Sequence, residues 1–470
     1  MAEIILLATV PLAALIFFSR SRVLNNTLLI LYSAGFVYGA FTAKTGPGML
    51  SPYIEMDGLG KLFLCIMSCV FFAAMLYNFS YPPKERESEQ SHAKYSAAVV
   101  IFAGSMAAFV MSAHLALAWV FIEATTLAST YLIYYSGTKN SLEASWKYIF
   151  ICSIGISLAF IGIVFLSLAT GKEGTLFFSQ MQQNAAAIDG FWLKIAFVFI
   201  LTGFGTKAGL APVHAWLPDA HSEAPSPVSA MLSGALLNTA MLGIMRVFKI
   251  MKLAGYESFA SALILVMGFF SLIVAAVFVS RVKNYKRMMA YSSIENMGIM
   301  AIGAATGGLG AIAALIHAFS HSFLKSAFFM TAGNMLKIYH TGVTAKTGGL
   351  LRKNPLLGWL FLILFAALSA VPPSPSFLSE YLIVAEMVKK GGFYAAGAAV
   401  FLLLIAFVVY GMAKTVFFIA YGKDESPEEN VKLPFMLYAP VILLLAAAAG
   451  AALIMPQFLS DIFKNAIDCM

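Results

Sequence analysis

Long apolar runs constrain the fold of this chain more than any other feature of its sequence. A helix needs about 20 apolar residues to cross a bilayer, and the chain contains about fourteen such runs. They lie near residues 4–18, 24–42, 58–79, 95–112, 114–136, 142–169, 191–216, 224–250, 257–280, 287–305, 309–337, 356–388, 392–421 and 432–455. Membrane β-barrels are excluded, because their strands alternate polar and apolar residues over about 10 positions. The sequence therefore predicts an all-α polytopic membrane protein with about 14 transmembrane helices.

Composition agrees with this class. The 470 residues are 60% hydrophobic and only 11% charged, whereas soluble domains carry about 25% charged residues. The runs follow one another without a long polar segment, so we expect one membrane domain. The first run lacks a basic start and a small-residue cleavage site, which predicts a retained first helix rather than a signal peptide.

The distribution of positive charge predicts the orientation. The net charge is +8, and the Lys and Arg residues lie between apolar runs, which favours membrane orientation over nucleic-acid binding. Most follow odd-numbered runs, among them Lys84 and Arg86, whereas fewer, such as Lys172, follow even-numbered runs. The positive-inside rule then predicts both termini on the outer side of a bacterial or archaeal cytoplasmic membrane.

The cysteines do not indicate a redox or metal site. Cys65, Cys69, Cys152 and Cys469 include no CxxC pair. A haem or an iron–sulfur cluster needs more ligands than these residues offer. We expect the cysteines to be packing residues, and we predict no metal or cofactor in this chain.

Two predicted helices are interrupted in a similar way. The seventh contains "KAGLAPVHAWLP" (207–218), and the twelfth contains "SAVPPSPSFLSEYL" (369–382). Proline breaks a helix, and paired broken helices are typical of inverted repeats in transporters. The breaks are five helices apart, which predicts inverted five-helix repeats at 95–250 and 257–421. The flanking parts are 1–94, with helices one to three, and 432–470, with the last helix and a short tail.

Ionisable side chains inside the apolar runs are the candidate functional residues. Each costs about 2.5–3.5 kcal/mol or more at the bilayer centre. Glu123 lies within the fifth run, Lys207 precedes the first break, and Glu380 follows the second. A Glu–Lys pair is suited to gating, because the paired lysine keeps its proton and the separated lysine releases it. The alternative for Glu123 is a structural hydrogen-bond anchor.

Three further ionisable residues share one predicted helix face. His317, His321 and Lys325 recur at i, i+4 and i+8, so they stack over two turns. Histidine titrates near pH 6.5, and burial makes lysine release its proton more readily. The spacing indicates a proton relay. The alternatives are packing roles for the histidines and snorkelling for Lys325.

Polar residues near the first break have two open roles. They cap helix ends or line a path for proton uptake, and they are His214, Asp219, His221 and Glu223. Glu295, in "AYSSIENMGIM", is predicted to lie near a helix start, where a structural role is favoured.

Four stretches resemble the antiporter-like subunits of respiratory complex I. That family also includes large subunits of multi-subunit Na+/H+ antiporters and membrane subunits of energy-converting hydrogenases. The stretches are "GFGTKAGLAPVHAWLPDAHSEAPSPVSAMLSGALLNTAMLGIMR", "YKRMMAYSSIENMG", "IHAFSHSFLKSAFFMTAGNM" and "PSPSFLSEYLI". "ALLN" together with "SEAPSP" is most similar to the F-type subunit of hydrogenase-4 and formate hydrogenlyase.

The resemblance implies a polar axis across the middle of the membrane. Glu123 matches the glutamate of the fifth helix, and Lys207 matches its ion-pair partner on the broken seventh helix. Lys325 matches the central lysine, and Glu380 matches the terminal ionisable position on the broken twelfth helix. The implied path of proton translocation is Glu123, Lys207, His317, His321, Lys325 and Glu380.

One position departs from the family pattern. Asn238 stands where the family usually has a lysine or histidine. A titratable group between Lys207 and Lys325 is therefore missing. Two explanations are open: water bridges this gap, or Asn238 relays the proton through its hydrogen bonds without being titrated itself.

The resemblance implies an H+- or Na+-translocating subunit of a redox-driven membrane complex. Its partners would be other membrane subunits and a cytoplasmic redox arm of the hydrogenase, formate hydrogenlyase or NADH:quinone oxidoreductase type, surrounded by lipids and without nucleic acid. Iron–sulfur clusters, and nickel–iron in a hydrogenase, would lie in those partners. Two alternatives remain open: a subunit of a secondary multi-subunit cation/H+ antiporter, and a membrane partner in inorganic-carbon uptake.

Overall fold

The computed structural model describes residues 2–81, 88–171, 174–423 and 431–470. Lys84, Arg86 and Lys172, which contribute to the predicted orientation, lie outside the described residues. Within them the chain is almost entirely helical. A short antiparallel pair, β1 (Gly46–Pro47) and β2 (Glu55–Met56), lies in the loop between the second and third helices.

Twenty α-helices are found in the described ranges. They are α1 (Ala2–Phe18), α2 (Arg22–Thr42), α3 (Gly58–Ser80), α4 (Glu89–Met111), α5 (Leu115–Tyr134), α6 (Lys139–Ala169), α7 (Phe178–Gln183), α8 (Gly190–Ala208), α9 (Leu217–Glu223), α10 (Ser226–Met231), α11 (Leu237–Leu253), α12 (Glu257–Phe278), α13 (Tyr285–Thr306), α14 (Leu309–Tyr339), α15 (Leu350–Lys353), α16 (Pro355–Leu368), α17 (Pro375–Lys390), α18 (Gly392–Tyr421), α19 (Ala439–Leu453) and α20 (Gln457–Ile467). A π-helical turn (Leu232–Leu236) joins α10 to α11.

Nine of the described helices are long and apolar enough to cross a membrane, and α10, the π-helical turn and α11 together form a tenth such segment. The pair α19 and α20, bent by 77°, adds an eleventh if it is counted as one span. The prediction of a polytopic helical membrane protein is confirmed. Two more predicted runs form the shorter apolar helices α1 and α16, and the total of fourteen spans stays a prediction.

Glycines allow neighbouring helices to approach closely. A Cβ atom on Gly298 of α13 would lie 2.8 Å from the carbonyl oxygen of Gly268 on α12. A Cβ atom on Gly203 of α8 would lie 2.6 Å from the carbonyl oxygen of Gly155 on α6. Association of helices in lipid depends on such close packing, since water does not drive apolar surfaces together there. These contacts hold α6 against α8 and α12 against α13.

The helix that carries Lys207 ends one residue later, at Ala208. Gly209 has a φ of 73°, a left-handed conformation that favours glycine, and closes the helix. Trp216 then donates from Nε1 to the carbonyl oxygen of Thr206, 2.7 Å away, and Ser271 Oγ accepts from the Ala211 N–H at 2.8 Å. Side chains therefore satisfy backbone groups that the end of α8 leaves unpaired within the apolar region.

The second interruption separates α16 from α17. α16 ends at Leu368, and α17 begins with Pro375 as its first residue. Proline is favoured at this position, because its fixed φ suits a helix start and no N–H is needed there. The hydroxyl of Ser374 caps α17 by accepting from the Phe377 N–H at 3.2 Å.

α14 lies at the centre of the second half of the chain. It packs against α10, α13, α16, α17 and α19. It has 31 residues, which corresponds to about 46 Å. Nearly every residue from His317 to Met335 is buried. Any polar side chain on this helix must therefore find its partners inside the protein.

Candidate functional site: a buried polar axis

Glu123 and Lys207 face one another across the hydroxyl of Thr126. Thr126 Oγ1 lies 2.8 Å from Lys207 Nζ and 3.1 Å from Glu123 Oε2. The ammonium donates to the hydroxyl, and the hydroxyl donates to the carboxylate. The expected ion pair is thus bridged by a hydroxyl, since Thr126 is one turn from Glu123 on α5.

Two side chains of α6 complete this cluster. Tyr148 OH lies 2.7 Å from Lys207 Nζ and 2.6 Å from Ser129 Oγ, and Ser153 Oγ donates to Glu123 Oε1 at 2.7 Å. Lys207 is fully buried. Two hydroxyl groups and the tyrosine ring, whose centroid is 4.7 Å from Nζ, therefore replace the water around its charge.

His221 lies between the Lys207 cluster and Lys325. Its ring stacks on Phe329, with centroids 4.9 Å apart, and Phe329 is one turn beyond Lys325 on α14. On its other side is Trp216, which contacts Tyr148 with ring centroids 4.9 Å apart. His221 is fully buried, and neither ring nitrogen has a hydrogen-bond partner among the described residues. One nitrogen can therefore donate to a water molecule while the other accepts a hydrogen bond or a proton.

His317, His321 and Lys325 lie on successive turns of α14, as their spacing predicts. All three are fully buried. Lys325 Nζ donates to the carbonyl oxygen of Met289, 3.0 Å away, and His321 Nε2 lies 3.2 Å from the carbonyl oxygen of Ser233. Backbone oxygens on neighbouring helices thus orient both groups. His321 Nδ1 has no partner within the described part of the chain.

Glu295 is the acidic group that interacts electrostatically with Lys325. It was expected near a helix start, but α13 begins at Tyr285, so Glu295 lies in its third turn and is only 6% exposed. Asn284 is the N-cap, and its side chain accepts from the N–H groups of Lys286 and Arg287. α13 therefore begins ten residues before Glu295. Glu295 belongs to the centre of the axis.

His317 connects α14 to two other helices. Its Nε2 lies 3.1 Å from Asn296 Oδ1 on α13, and its Nδ1 lies 2.9 Å from Ser379 Oγ on α17. Ser379 immediately precedes Glu380, and Asn296 immediately follows Glu295. The imidazole of His317 therefore contacts the chain neighbour of Glu295 on one side and that of Glu380 on the other.

Asn238 spans part of the gap between the two lysines. Its Nδ2 donates to the carbonyl oxygen of Ala318, 3.1 Å away, and to the hydroxyl of Ser322. Its Oδ1 is buried without a hydrogen-bond partner in the described residues. The π-helical turn Leu232–Leu236 lies just before it and exposes the Ser233 carbonyl to His321. Such turns often occur at functional sites.

Asp219 and Glu223 line a charged cavity at the protein surface. Asp219 pairs with Arg287 at 2.8 Å and with Lys147 at 3.2 Å. The cavity has a volume of about 210 Å³. It is lined by Asn140, Glu143, Ala144, Lys147, Asp219, Glu223 and Arg287. Since α9 carries Asp219 and Glu223 as well as buried His221, this short helix connects the surface with the axis.

His214 and Glu380 are not joined to the axis by hydrogen bonds among the described residues. His214 lies half-buried in the segment that follows α8, and its Nδ1 has no partner there. Glu380 is half-buried in the second turn of α17. The N–H groups at the start of α17 belong to the turn before Glu380, which Ser374 caps.

α13 links two charged clusters on opposite faces of the protein. Arg287, the partner of Asp219, lies in its first turn, whereas its last residue, Thr306, accepts a hydrogen bond from Lys390. The separation of 19 residues corresponds to about 29 Å, the thickness of the bilayer core. Glu295 lies roughly midway. The polar axis at Glu295 therefore lies between charged groups at the two ends of α13.

Several residues of this site were not predicted from the sequence. Thr126, Tyr148, Ser153, Asn296 and Ser379 contact the predicted ionisable groups through their side chains. The signal that could have found Thr126 is its i+3 spacing from Glu123. Among the described residues no group of three His, Cys, Asp or Glu side chains is arranged to hold a metal ion.

Comparison with known proteins defines the class. Residues 112–406 match the family described as NADH:quinone oxidoreductase/Mrp antiporter, transmembrane. The chain belongs to this family of antiporter-like membrane subunits, so the resemblance seen in the sequence is confirmed.

Individual relatives are similar over almost the whole chain. The hydrogenase-4 component F homolog of Methylacidiphilum infernorum is 34% identical over 91% of this chain and 90% of its own length. One component of the Na+/H+ antiporter of Bacillus subtilis is 27% identical over 88% of this chain and 84% of its own length. The fold is shared with a chain of the membrane-bound sulfane sulfur reductase, an archaeal respiratory membrane complex, at a TM-score of 0.89, 22% identity and coverage of 100% and 97%. The relatives of this chain are therefore integral membrane components of multi-subunit complexes.

Proposed function

We propose that this chain moves protons across the membrane as a subunit of a redox-driven membrane complex. Membership of the antiporter-like family supports ion translocation. The observation that carries the proposal is the set of fully buried Lys207, His221, His317, His321 and Lys325. Structural helix packing does not require such groups, since each is costly in an apolar environment unless it is paired or hydrated.

The proposed path begins at the cluster of Glu123, Thr126 and Lys207. From Lys207 a proton reaches His221 through water beside Tyr148, and from His221 it passes to Lys325. His221 thereby supplies the titratable group that Asn238 does not. The free nitrogens of His221 support this step, because a relay group needs one atom to accept a proton and another to release it.

The path continues from Lys325 along α14. Glu295 balances the charge of Lys325, and His321 and His317 lie on the next two turns. His317 then delivers the proton towards Ser379 and Glu380. Glu380 is half-buried, so it is suited to exchange with a neighbouring subunit. If either lysine lost the carboxylate that balances its charge, it would release its proton to the next group on the path.

The chemistry of the axis favours H+ over Na+. Two lysines and three histidines line it among the described residues. An ammonium group repels a metal cation at short range, and hard cations prefer several oxygen ligands. Imidazole and ammonium groups, in contrast, exchange protons directly.

We propose fourteen transmembrane helices in which α8–α9 and α16–α17 are the broken seventh and twelfth. The repeats would cover 95–250 and 257–421, flanked by 1–94 and 432–470, with both termini on the outer side of a bacterial or archaeal cytoplasmic membrane. The interruptions after Lys207 and before Glu380 support this arrangement. Cysteine labelling from either side of intact cells at Lys44 and Lys346 would test it, because the two positions should react from opposite sides.

The redox chemistry would belong to partner subunits that carry iron–sulfur clusters and, in a hydrogenase, nickel–iron. Similarity to the hydrogenase-4 component F homolog supports this assignment. Affinity purification of the tagged chain from its own membranes tests it. Co-purification of iron–sulfur and hydrogenase-like chains would support it, and a set of small membrane subunits alone would contradict it.

A second candidate function is that of a secondary cation/H+ antiporter component. Similarity to a component of the Bacillus subtilis Na+/H+ antiporter favours it. Vesicles that carry the purified complex distinguish the two. The first function predicts a pH gradient driven by electron transfer without added Na+, whereas the second predicts a gradient driven by an imposed Na+ gradient.

A further inference from the structure

One buried carboxylate, Glu386, lies outside the polar axis described above. It is on α17, six residues after Glu380, and is only 6% exposed. Its Oε2 has no hydrogen-bond partner among the described residues. The nearest ammonium is Lys389 Nζ at 3.8 Å, and that side chain is 74% exposed. A loose contact with a hydrated lysine does not account for a buried carboxylate.

Glu386 lies on the same face of α17 as Ser379. The two residues are seven positions apart, which is two turns or about 10 Å. Ser379 is the hydroxyl that contacts His317. The buried face of α17 therefore carries Ser379, which contacts the axis, and two turns later the carboxylate of Glu386.

The turn between α13 and α14 covers Glu386. Gly308 is exposed, and a Cβ atom on it would lie 2.6 Å from Glu386 Oε1. Both Gly307 and Gly308 have positive φ, at 69° and 54°. The exposed backbone of Gly308 therefore lies against this carboxylate.

The surrounding surface carries charges of both signs. Lys390 donates to the carbonyl oxygen of Thr306, and Glu257 of α12 is exposed beside Gly307. Lys389 is the other charged neighbour. This face is the end of α13 opposite to Arg287 and Asp219.

We propose that Glu386 is the group that exchanges protons between the axis and water at this face of the membrane. The inference rests on the proposed proton translocation and extends it by naming the final carboxylate. Its carboxylate accepts a proton that arrives from the His317 and Ser379 level and then releases it to water beside Gly308, or the reverse. No bond other than O–H forms or breaks, and the carboxylate is regenerated in each cycle.

The step between Ser379 and Glu386 requires water. Ile383 is fully buried and lies between them on the same face. A distance of about 10 Å corresponds to roughly three hydrogen-bonded water molecules. Water that enters transiently past Ile383 would connect Glu386 to the axis. When this water is absent, the axis would be closed to the surface.

Chemical rescue tests this role in the intact complex. Membrane vesicles are prepared with the complex that carries Glu386→Ala, Glu386→Leu or, as a matched control, Glu257→Ala on the same face. Proton transport is measured at equal redox turnover and equal amounts of assembled protein. We expect both Glu386 variants to lower transport at least about tenfold, in line with loss of a proton-transfer group. Acetate should restore it in the Ala variant only, because leucine fills the space.

The outcomes separate this inference from the proposed function. Rescue of Glu386→Ala by weak acids, with native transport in Glu257→Ala, supports the inference. Normal transport in both Glu386 variants, or a loss that weak acids do not restore, overturns it. A Glu295→Gln variant measured in parallel decides whether the failure is wider: if it also transports normally, the proposed axis fails as well.

Discussion

The hydroxyl of Thr126 lies 2.8 Å from the ammonium nitrogen of Lys207. Thr126 also donates to Glu123, so the charge of Lys207 reaches the carboxylate through one hydroxyl group. A hydroxyl can rotate, whereas a direct ion pair holds both charges in place. The pairing of Lys207 with Glu123 is therefore adjustable without movement of the backbone.

Replacing Thr126 by valine should impair transport. Valine has nearly the same shape but removes the bridge, leaving Tyr148 as the described hydroxyl partner of Lys207. We expect proton transport by the intact complex to fall roughly tenfold, since positioned proton-transfer groups contribute factors of this size or more. Thr126→Ser keeps the hydroxyl and should transport almost normally. Native transport by the valine variant would show that the bridge is not used.

His221→Phe should stop transfer between the two lysines. Phenylalanine preserves the stacking on Phe329 but removes both free nitrogens. Transport per assembled complex should fall at least about tenfold, as measured by acidification of membrane vesicles. The control is Phe329→Leu, which weakens the stacking and keeps the imidazole. If the control loses as much transport as His221→Phe, His221 has a packing role only.

The effect of Asn238 substitutions on proton transport should depend on the polarity of the new side chain rather than on its size. Asn238→Leu should reduce transport, because an apolar side chain at this buried position removes a hydrogen-bonding site for water. Asn238→Lys restores the group usual in the family and should transport better than the leucine variant. Thr239→Val is the neighbouring control, since among the described residues the Thr239 hydroxyl donates to the Ala235 carbonyl of the adjoining π-helical turn and to no other group. Equal transport by native and Asn238→Leu complexes would place Asn238 off the path.

Asp57→Asn should lower stability without altering the transport step. Arg246 is 4% exposed, and its guanidinium donates to both carboxylate oxygens of Asp57, at 2.7 and 3.2 Å. Loss of the negative charge leaves a buried cation with backbone carbonyl partners, and we expect a loss of about 1–3 kcal/mol in the free energy of unfolding. Thermal denaturation of the purified complex measures it. Asp461→Asn, at an exposed site, is the control, and equal stability of both variants would contradict the expectation.

The parts of this structure that follow from local patterns could be predicted from the sequence. Apolar runs predict the helices, because burial in lipid requires them, and four-residue spacing places His317 and His321 on one face. Contacts between distant helices could not be predicted. Tyr148 reaches Lys207 from 59 residues away, and Asn296 reaches His317 from 21 residues away. Such contacts depend on how closely packed helices are rotated about their axes. Glycine positions such as Gly298 set this rotation, and the pattern of a single helix does not show it.

Glu295 illustrates how local polarity can mislead. Glu295 was expected near a helix start, but the Oγ atoms of Ser292 and Ser293 donate to Glu295 and to the Met289 carbonyl inside α13. Hydroxyl groups that return to their own helix are compatible with a helix interior. Glu386 was missed because its neighbours Lys389 and Lys390 made the end of α17 resemble an ordinary solvated surface.

In the proposed path, protons pass along the axis through Lys325. The most direct measurement is the proton transport per electron transferred in vesicles that carry the intact complex with Lys325→Ala, compared with native complex of equal assembly. We expect transport to fall to about a tenth or less while electron transfer continues at least in part. Native transport per electron in the Lys325→Ala complex would show that protons do not pass through Lys325.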